Sequence, residues 1–268
     1  MKKIISNTMY VLSLSFGKDS MALLLEVIKR KLPLDYVIYC DVMFDPETSG
    51  ENPVMAEWIP KAEKILKEKF GIEVIHISAP KSFKEQFYSV KKRGNHTGEI
   101  YGYPYIIGSW CNQHLKLRPI DKFVRKVMKS CNQLVQYIGI AQDEPVRIAK
   151  LKNKETEDMK YITLADFDIK EEDAIAICKE HDLLSPKYDT SFRGGCWFCP
   201  KQSMHDLYCL WKNYPHYYQQ LQDMEKDSRV PFRNDTNLTY LKECFESGWI
   251  PKKIIRRKTK WVIIQNNV

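Results

Sequence analysis

The chain has 268 residues, enough for one large domain or a domain with an appendage, and a hydrophobic share of 44% supports a real core. No run of about 18 apolar residues occurs, so no membrane partner is expected, and nothing after Met1-Lys2-Lys3 reads as a secretory leader, which points to the cytoplasm. The net charge of +8 is gathered at Lys91, Lys92 and Arg93 and at Lys252, Lys253, Arg256, Arg257, Lys258 and Lys260; this suits a polyanion such as nucleotide phosphates or nucleic acid, or else a solvated basic face.

An apolar run, Met9 to Leu14, reads as a first strand, and the amphipathic pattern from Met21 to Lys31 as a helix. Between them lies Ser13-Leu14-Ser15-Phe16-Gly17-Lys18-Asp19-Ser20. A loop that opens a helix presents free backbone N–H groups at the positive end of the helix dipole. The small residues Ser15, Gly17 and Ser20 let an anion come close to the backbone, and Lys18 adds a mobile positive charge. The stretch reads as a phosphate cradle, the alternative being an ordinary turn capped by Asp19 or Ser20. It lacks the spacing of a Walker A loop.

A second strand, Leu34 to Cys40, ends at Asp41, where a carboxylate can meet the nucleoside of a nucleotide held by the loop or simply shape a turn. Asn52 to Phe70 has helical spacing and stops at Gly71, and Glu73 to Ile77 is a short third strand. Ser82 to Val90 suits a short helix and Gly94 to Gly108 an ordered loop. Leu115 to Lys129 is amphipathic again, and Leu134 to Ile140 is a fourth buried strand. Strands alternating with helices predict a parallel sheet covered by helices, an α/β core spanning 1–150. Residues 150–160 read as a charged linker to a mainly helical region at 151–268. That region has a strand-like piece at Tyr161 to Phe167, helices over Glu171 to His181, Ser203 to Trp211, Tyr217 to Asp227 and Leu238 to Ser247, and a terminal strand or hairpin.

Three further stretches carry chemistry. In Trp110-Cys111-Asn112-Gln113-His114-Leu115-Lys116-Leu117-Arg118-Pro119, Lys116 and Arg118 suit a second anionic group. In Gly139-Ile140-Ala141-Gln142-Asp143-Glu144-Pro145-Val146-Arg147, a carboxylate from Asp143 or Glu144 can hold Mg²⁺ against phosphates and Arg147 can clamp an oxyanion. Arg193-Gly194-Gly195-Cys196-Trp197-Phe198-Cys199-Pro200 has the composition of a metal knuckle. Its Cys-x-x-Cys supplies half a tetrahedral site, with Cys111 the first choice for a third ligand and Cys209, His205 or His114 for a fourth. Three cysteines can also hold a [4Fe–4S] cluster with one open iron, so Zn and Fe–S both remain open. With eight cysteines in an expected reducing compartment, a disulfide framework is not indicated.

The loop at 15–20 resembles the pyrophosphate-binding loop of the PP-loop ATP pyrophosphatases, Ser-Gly-Gly-Lys-Asp-Ser, with Phe16 in place of the first glycine. The ordered set, together with Tyr161-Ile162-Thr163-Leu164 and Ser185-Pro186-Lys187-Tyr188-Asp189, resembles the phosphoadenosine phosphosulfate reductase family of the adenine nucleotide alpha hydrolase superfamily over residues 9–202. The resemblance implies a doubly wound, mostly parallel α/β sheet with a helical, cysteine-bearing extension. It also implies ATP or another adenine nucleotide with Mg at Ser15, Phe16, Gly17, Lys18, Asp19, Ser20, Asp41 and Lys116. Catalytic roles fall to Lys18, Asp143, Glu144 and Arg147, and Cys111, Cys196, Cys199 and Cys209 would hold an Fe–S cluster or Zn. The implied chemistry is cleavage at the α-phosphate with release of pyrophosphate, serving sulfur transfer or nucleic-acid modification. The alternatives are sulfonucleotide reduction and a non-catalytic nucleotide- or nucleic-acid-binding module with structural zinc. The chain departs from the reductases at its end, Val262-Ile263-Ile264-Gln265-Asn266-Asn267-Val268, which has no cysteine, the nearest being Cys244. Nucleic acid, a sulfur donor protein and a second copy of the chain are the partners left open.

Overall fold

The computed structural model describes residues 7–104, 109–190, 195–257 and 260–264. The chain divides into two compact units. The first comprises Met1–Asp41, Val54–Ser78 and Arg118–Tyr188, and the second Val42–Pro53, Ala79–Leu117 and Asp189–Val268.

The first unit is built on five parallel strands, β1 (Thr8–Leu14), β2 (Tyr36–Asp41), β3 (Val74–Ser78), β4 (Gln133–Ile138) and β5 (Met159–Ile162), in the order β3-β2-β1-β4-β5. Side chains alternate across β1. Leu12 and Leu14 join Met21, Leu24 and Val27 of helix α1 (Lys18–Lys29) and Met55, Ile59, Ala62 and Leu66 of α2 (Pro53–Phe70). Val11 points the other way, into a cluster with Ile38, Leu134, Val124 and Val127. Helices therefore cover both faces, and the central strands are apolar throughout because neither face meets water. The fold is an α/β doubly wound sheet, and crossovers from β1 bring two strand ends together at its C-terminal edge, where such sheets carry ligands.

The charged stretch at 150–160 is not a linker. Pro145–Lys152 is a helix with Pro145 in its first turn, and Met159–Ile162 is the fifth strand, paired with β4 at Leu134↔Met159. The charges close the turn between them. Lys152 Nζ donates to the Tyr161 carbonyl at 2.5 Å and to Asp166 at 3.2 Å, while Glu155 accepts the Tyr161 N–H at 3.0 Å. The boundary expected at 150 therefore falls inside a helix, and the chain enters and leaves the second unit at several points instead.

The second unit contains α3 (Phe83–Phe87), α4 (Trp110–Asn112) and a π-helical turn, Gln113–Leu117. Ser82 caps α3 in a reciprocal box with Glu85. Beyond it, α5 (Arg118–Met128), α6 (Pro145–Lys152), α7 (Glu171–Glu180) and α8 (Lys187–Thr190) belong to the first unit in whole or part. The second unit resumes with α9 (Met204–Asn213), α10 (Pro215–Asp227), α11 (Leu238–Glu246) and an antiparallel hairpin, β6 (Lys253–Arg257) with β7 (Lys260–Ile264). Its core is aromatic: Phe44, Phe83, Phe87, Tyr103, Trp197, Phe198, Tyr218 and Phe245 are all buried. The helical, cysteine-bearing C-terminal region is thus present. Among the described residues no helix is long and apolar enough to cross a membrane. Residues 105–108 of the expected loop, Arg193, Gly194, Lys258 and the last four residues lie outside the described residues.

One close approach sets the geometry of the sheet edge. A Cβ on Gly139 would lie 2.5 Å from Ser20 N, 2.7 Å from Ser20 Cα and 2.8 Å from the Asp19 carbonyl carbon. Only glycine lets the chain leaving β4 pass this near the first turn of α1. Gly139→Ala is expected to lower stability by about 1–3 kcal/mol, read from chemical or thermal unfolding, because backbone rather than a flexible side chain must give way. An unchanged unfolding curve would contradict that close approach.

Candidate functional site

The loop between β1 and α1 closes on itself through two serines. Ser20 Oγ accepts the Ser15 N–H at 3.0 Å, lies 2.9 Å from Ser15 Oγ, and donates to the Gly17 carbonyl at 3.1 Å. The Met21 N–H then returns to Gly17 O at 3.0 Å, starting the helix. Phe16 holds a left-handed backbone, φ 52°, that a glycine would adopt without cost. Its ring is 1% exposed and meets Tyr39 edge-on at 5.0 Å, which anchors the strained residue in the core. Phe16 is therefore a lining residue of the core beneath the loop. Gly17 is the N-cap of α1, and a Cβ there would stand 3.3 Å from Tyr188 OH and 3.4 Å from Ser15 Oγ.

Charge is concentrated at the first turn of α1. The buried Lys18 ammonium pairs with Asp19 at 2.6 Å and lies 3.7 Å from Glu171. Burial raises the Asp19 pKa, against the pull of Lys18, while Glu144 adds repulsion and Arg147 opposes it. The Gly139–Arg147 stretch therefore converges on the loop. Within it, Arg147 Nη1 bonds both oxygens of Glu144, at 2.5 and 2.7 Å. Asp143 Oδ1 accepts the Glu171 N–H at 3.2 Å, and its Oδ2 takes no hydrogen bond among the described residues. One open carboxylate oxygen suits Mg²⁺, which prefers one or two carboxylates and fills its other positions with phosphate oxygens and water.

Asp41, at the end of β2, is held by His76 of β3. His76 Nδ1 is 2.8 Å from Asp41 Oδ2 and Nε2 is 2.6 Å from Glu63 Oε1. Burial disfavours the charged imidazole, but the bonds to Glu63 and Asp41 outweigh it and lift the His76 pKa above its ordinary 6.5.

The predicted metal residues and Lys116 belong to the second unit. Cys196 and Cys199 form a tight turn, Cys199 N–H to Cys196 O at 3.1 Å, and the Trp197 N–H bonds Gly50 O at 3.0 Å. Burial pushes the Cys111 thiol up to about 11, and repulsion from Cys199 adds to it. Burial also lifts Cys196 well above the usual thiol range; Glu51, Cys199 and Cys111 add repulsion, and Lys116 opposes them. Cys111, Cys196 and Cys199 thus share one electrostatic neighbourhood, with Lys116 beside it. Cys209 sits one turn from His205 on α9, its Sγ 3.6 Å from His205 Nδ1. His114 lies edge-on to Tyr101 at 6.0 Å. Three neighbouring cysteine sulfurs are the donor chemistry that suits a soft cation or cluster. Among the described residues, no three His, Cys, Asp or Glu side chains are already set as a metal-holding group.

Sequence reasoning passed over Gly139, Glu171, Cys178 and Tyr188 as site residues. Cys178 donates to the Lys18 carbonyl at 3.3 Å, and burial raises its thiol to about 12. Tyr188 OH accepts the Lys18 N–H at 3.0 Å. The Ser-Pro-Lys-Tyr segment offered a signal for Tyr188 and the Gly139–Arg147 stretch one for Gly139; Glu171 and Cys178 are tertiary contacts with no local pattern.

The His76 clip carries a pH prediction. A raised pKa in the folded state contributes stability that is complete below the unfolded value and fades as pH climbs through the folded one. His76→Gln is therefore expected to unfold more easily than the parent at about pH 6, with the gap narrowing as pH rises past the elevated pKa. A gap that widens with pH would contradict the clip.

No protein-family model matches the chain. The uncharacterized nin region protein ORF290 of Escherichia phage lambda is 35% identical over 110 residues, which is 40% of this chain and 34% of that protein. The matched stretch thus spans about a third of that relative's length. Among solved structures, the U34-tRNA thiolase NcsA from Methanococcus maripaludis, with its [4Fe-4S] cluster, aligns at a TM-score of 0.39 and 18% identity, covering 94% of this chain and 86% of that one. At that score the likeness assigns neither fold nor chemistry.

Proposed function

We propose that the chain is an enzyme that binds ATP at the Ser15–Ser20 loop and cleaves it at the α-phosphate, releasing pyrophosphate in the course of sulfur transfer or nucleic-acid modification. The observation that carries this reading is the self-closed Ser15–Gly17–Ser20 loop on the first turn of α1, with Lys18 inside it. Such a loop aims backbone donors and one cation at a polyphosphate. In the reaction a nucleophile attacks the α-phosphorus, and the bond from that phosphorus to the bridging oxygen of the β-phosphate breaks. Charge then grows on the departing pyrophosphate. The Lys18 ammonium, exchanged from Asp19 to the phosphate on binding, and the first-turn N–H groups of α1 stabilise it. The adenylyl group left on the nucleophile is then displaced as AMP by a sulfur donor or water. Asp143 would hold Mg²⁺ against the phosphates, and Arg147, already beside Glu144, would steady an oxyanion. Asp41, held by His76, would meet the ribose or base.

In the second unit, Cys111, Cys196 and Cys199 would hold zinc or an Fe–S cluster; zinc would supply structure, and a cluster with an open iron would supply a sulfur-binding site. A nucleic-acid acceptor is supported by the turn carrying Lys91, Lys92 and Arg93. This turn is closed by Lys91 N–H to Glu99 O at 2.8 Å and Gly98 N–H to Lys91 O at 3.0 Å, with Lys92 and Arg93 exposed.

Incubation with ATP, Mg²⁺ and candidate nucleic acids is expected to yield AMP and pyrophosphate in equal amounts, with the rate falling about 10²-fold in Lys18→Ala. Release of ADP and phosphate, or full activity in that variant, would sink the reading. Anaerobically purified protein is expected to carry zinc, or iron with sulfide, and to lose it when Cys196 and Cys199 are both changed to Ser. Metal retained by that double variant would remove the cysteines from the site.

A further inference from the structure

We propose that Tyr188 is a phosphate ligand of the nucleotide site, a phenolic donor delivered to the loop from 170 residues away in sequence. The inference rests on the phosphate reading of the loop given above and names a residue that completes it.

Four observations lead there. First, Tyr188 OH accepts the N–H of Lys18, the first residue of α1, at 3.0 Å, so the phenol stands at the mouth of the cradle. Second, the absent Cβ of Gly17 would fall 3.3 Å from that phenol oxygen and 3.4 Å from Ser15 Oγ. The phenol and the serine hydroxyl thus flank the one place on the loop stripped of a side chain. Third, the phenol oxygen already accepts the Lys18 N–H, while its own proton meets no acceptor among the described residues. A phenol carries one donor, and here it has no taker. Fourth, the arm that carries it is fixed. Ser185 is 2% exposed; its Oγ accepts the Lys187 N–H at 3.2 Å and donates to Met55 Sδ at 2.9 Å.

The surrounding charges explain why a neutral donor fits this place. Asp19 and Glu171 occupy the Lys18 ammonium on one side, so a polyphosphate arriving with Mg²⁺ meets carboxylates as well as cations. A phenol adds a hydrogen bond to a phosphate oxygen without adding another charge for those carboxylates to neutralise. Accepting from Lys18 N–H polarises the O–H and strengthens its donation. Burial pushes the Tyr188 pKa up to about 12, so the proton stays on the oxygen under all working conditions.

The test uses inorganic pyrophosphate as the probe, the full-length protein, and two versions of residue 188. Tyr188→Phe keeps the ring and removes only the donor, and is expected to weaken pyrophosphate binding on the order of tenfold by titration calorimetry, the loss that goes with one hydrogen bond to a charged group. Independently, 3-fluorotyrosine placed at 188 is expected to show a fluorine resonance that moves as pyrophosphate saturates the site. This second readout stands even if the phenylalanine variant fails to fold. Unchanged affinity in Tyr188→Phe with a stationary fluorine signal overturns the proposal while leaving the cradle intact. Tighter binding in that variant also overturns it, because the phenol would then be an occupant that phosphate displaces. A parent protein that takes up no pyrophosphate overturns the cradle itself, and the proposal with it.

Discussion

The Ser20 hydroxyl is the interaction on which the rest of the candidate site depends. By accepting from Ser15 N–H and donating to Gly17 O, it folds the end of β1 back over the start of α1, and the chain after β4 comes close enough to support that turn only because Gly139 has no side chain. The arrangement forces Phe16 into a left-handed backbone. That conformation costs an L-residue about 1–2 kcal/mol, while full burial of an aromatic ring returns about 1.5–3 kcal/mol. The packed ring therefore holds the strained backbone, and a large apolar residue stands where flexibility would otherwise be the simple solution.

Electrostatics then set the resting state. Lys18 is not an idle cation awaiting a ligand; it is buried against Asp19 and near Glu171. Arg147 is likewise engaged by Glu144. Both cations of the cradle are neutralised before any nucleotide arrives, so binding is an exchange of partners. Phosphate oxygens must take Lys18 from a carboxylate, and Mg²⁺ is the natural means of satisfying the carboxylate left behind. The cysteine cluster of the second unit follows the same logic with the sign reversed: the Cys111 and Cys196 thiols, raised by burial first and by neighbouring cysteines second, keep their protons until a cation arrives.

Local patterns were readable and long-range ones were not. The strands through Val11, Val37 and Val135 announced themselves because burial on both faces demands continuous apolar runs. The fifth strand was legible only in part: the strand-like piece expected at Tyr161 to Phe167 overlaps Met159–Ile162 at Tyr161 and Ile162, while Leu164–Phe167 is a 3-10 turn closed by the Thr163–Asp166 box. The charged residues before it resemble a linker until Lys152 and Glu155 are seen closing its turn. Division at residue 150 failed for a related reason, since no composition shift marks 42–53 and 79–117 as parts of the unit that also holds 189–268. At the site, the loop was legible because its hydrogen bonds span a few residues. Glu171 and Tyr188 reach Lys18 across the fold, and Asp41 owes its orientation to His76 on a neighbouring strand, so neither relation leaves a trace in spacing.

Amide hydrogen exchange with and without ATP and Mg²⁺ tests the central claim most directly, because the proposed phosphate contacts are backbone N–H groups. The account predicts that ATP slows exchange most strongly in the peptide covering residues 15–21, with weaker protection at 139–147. Protection confined to other parts of the chain, with residues 15–21 unchanged, would contradict it.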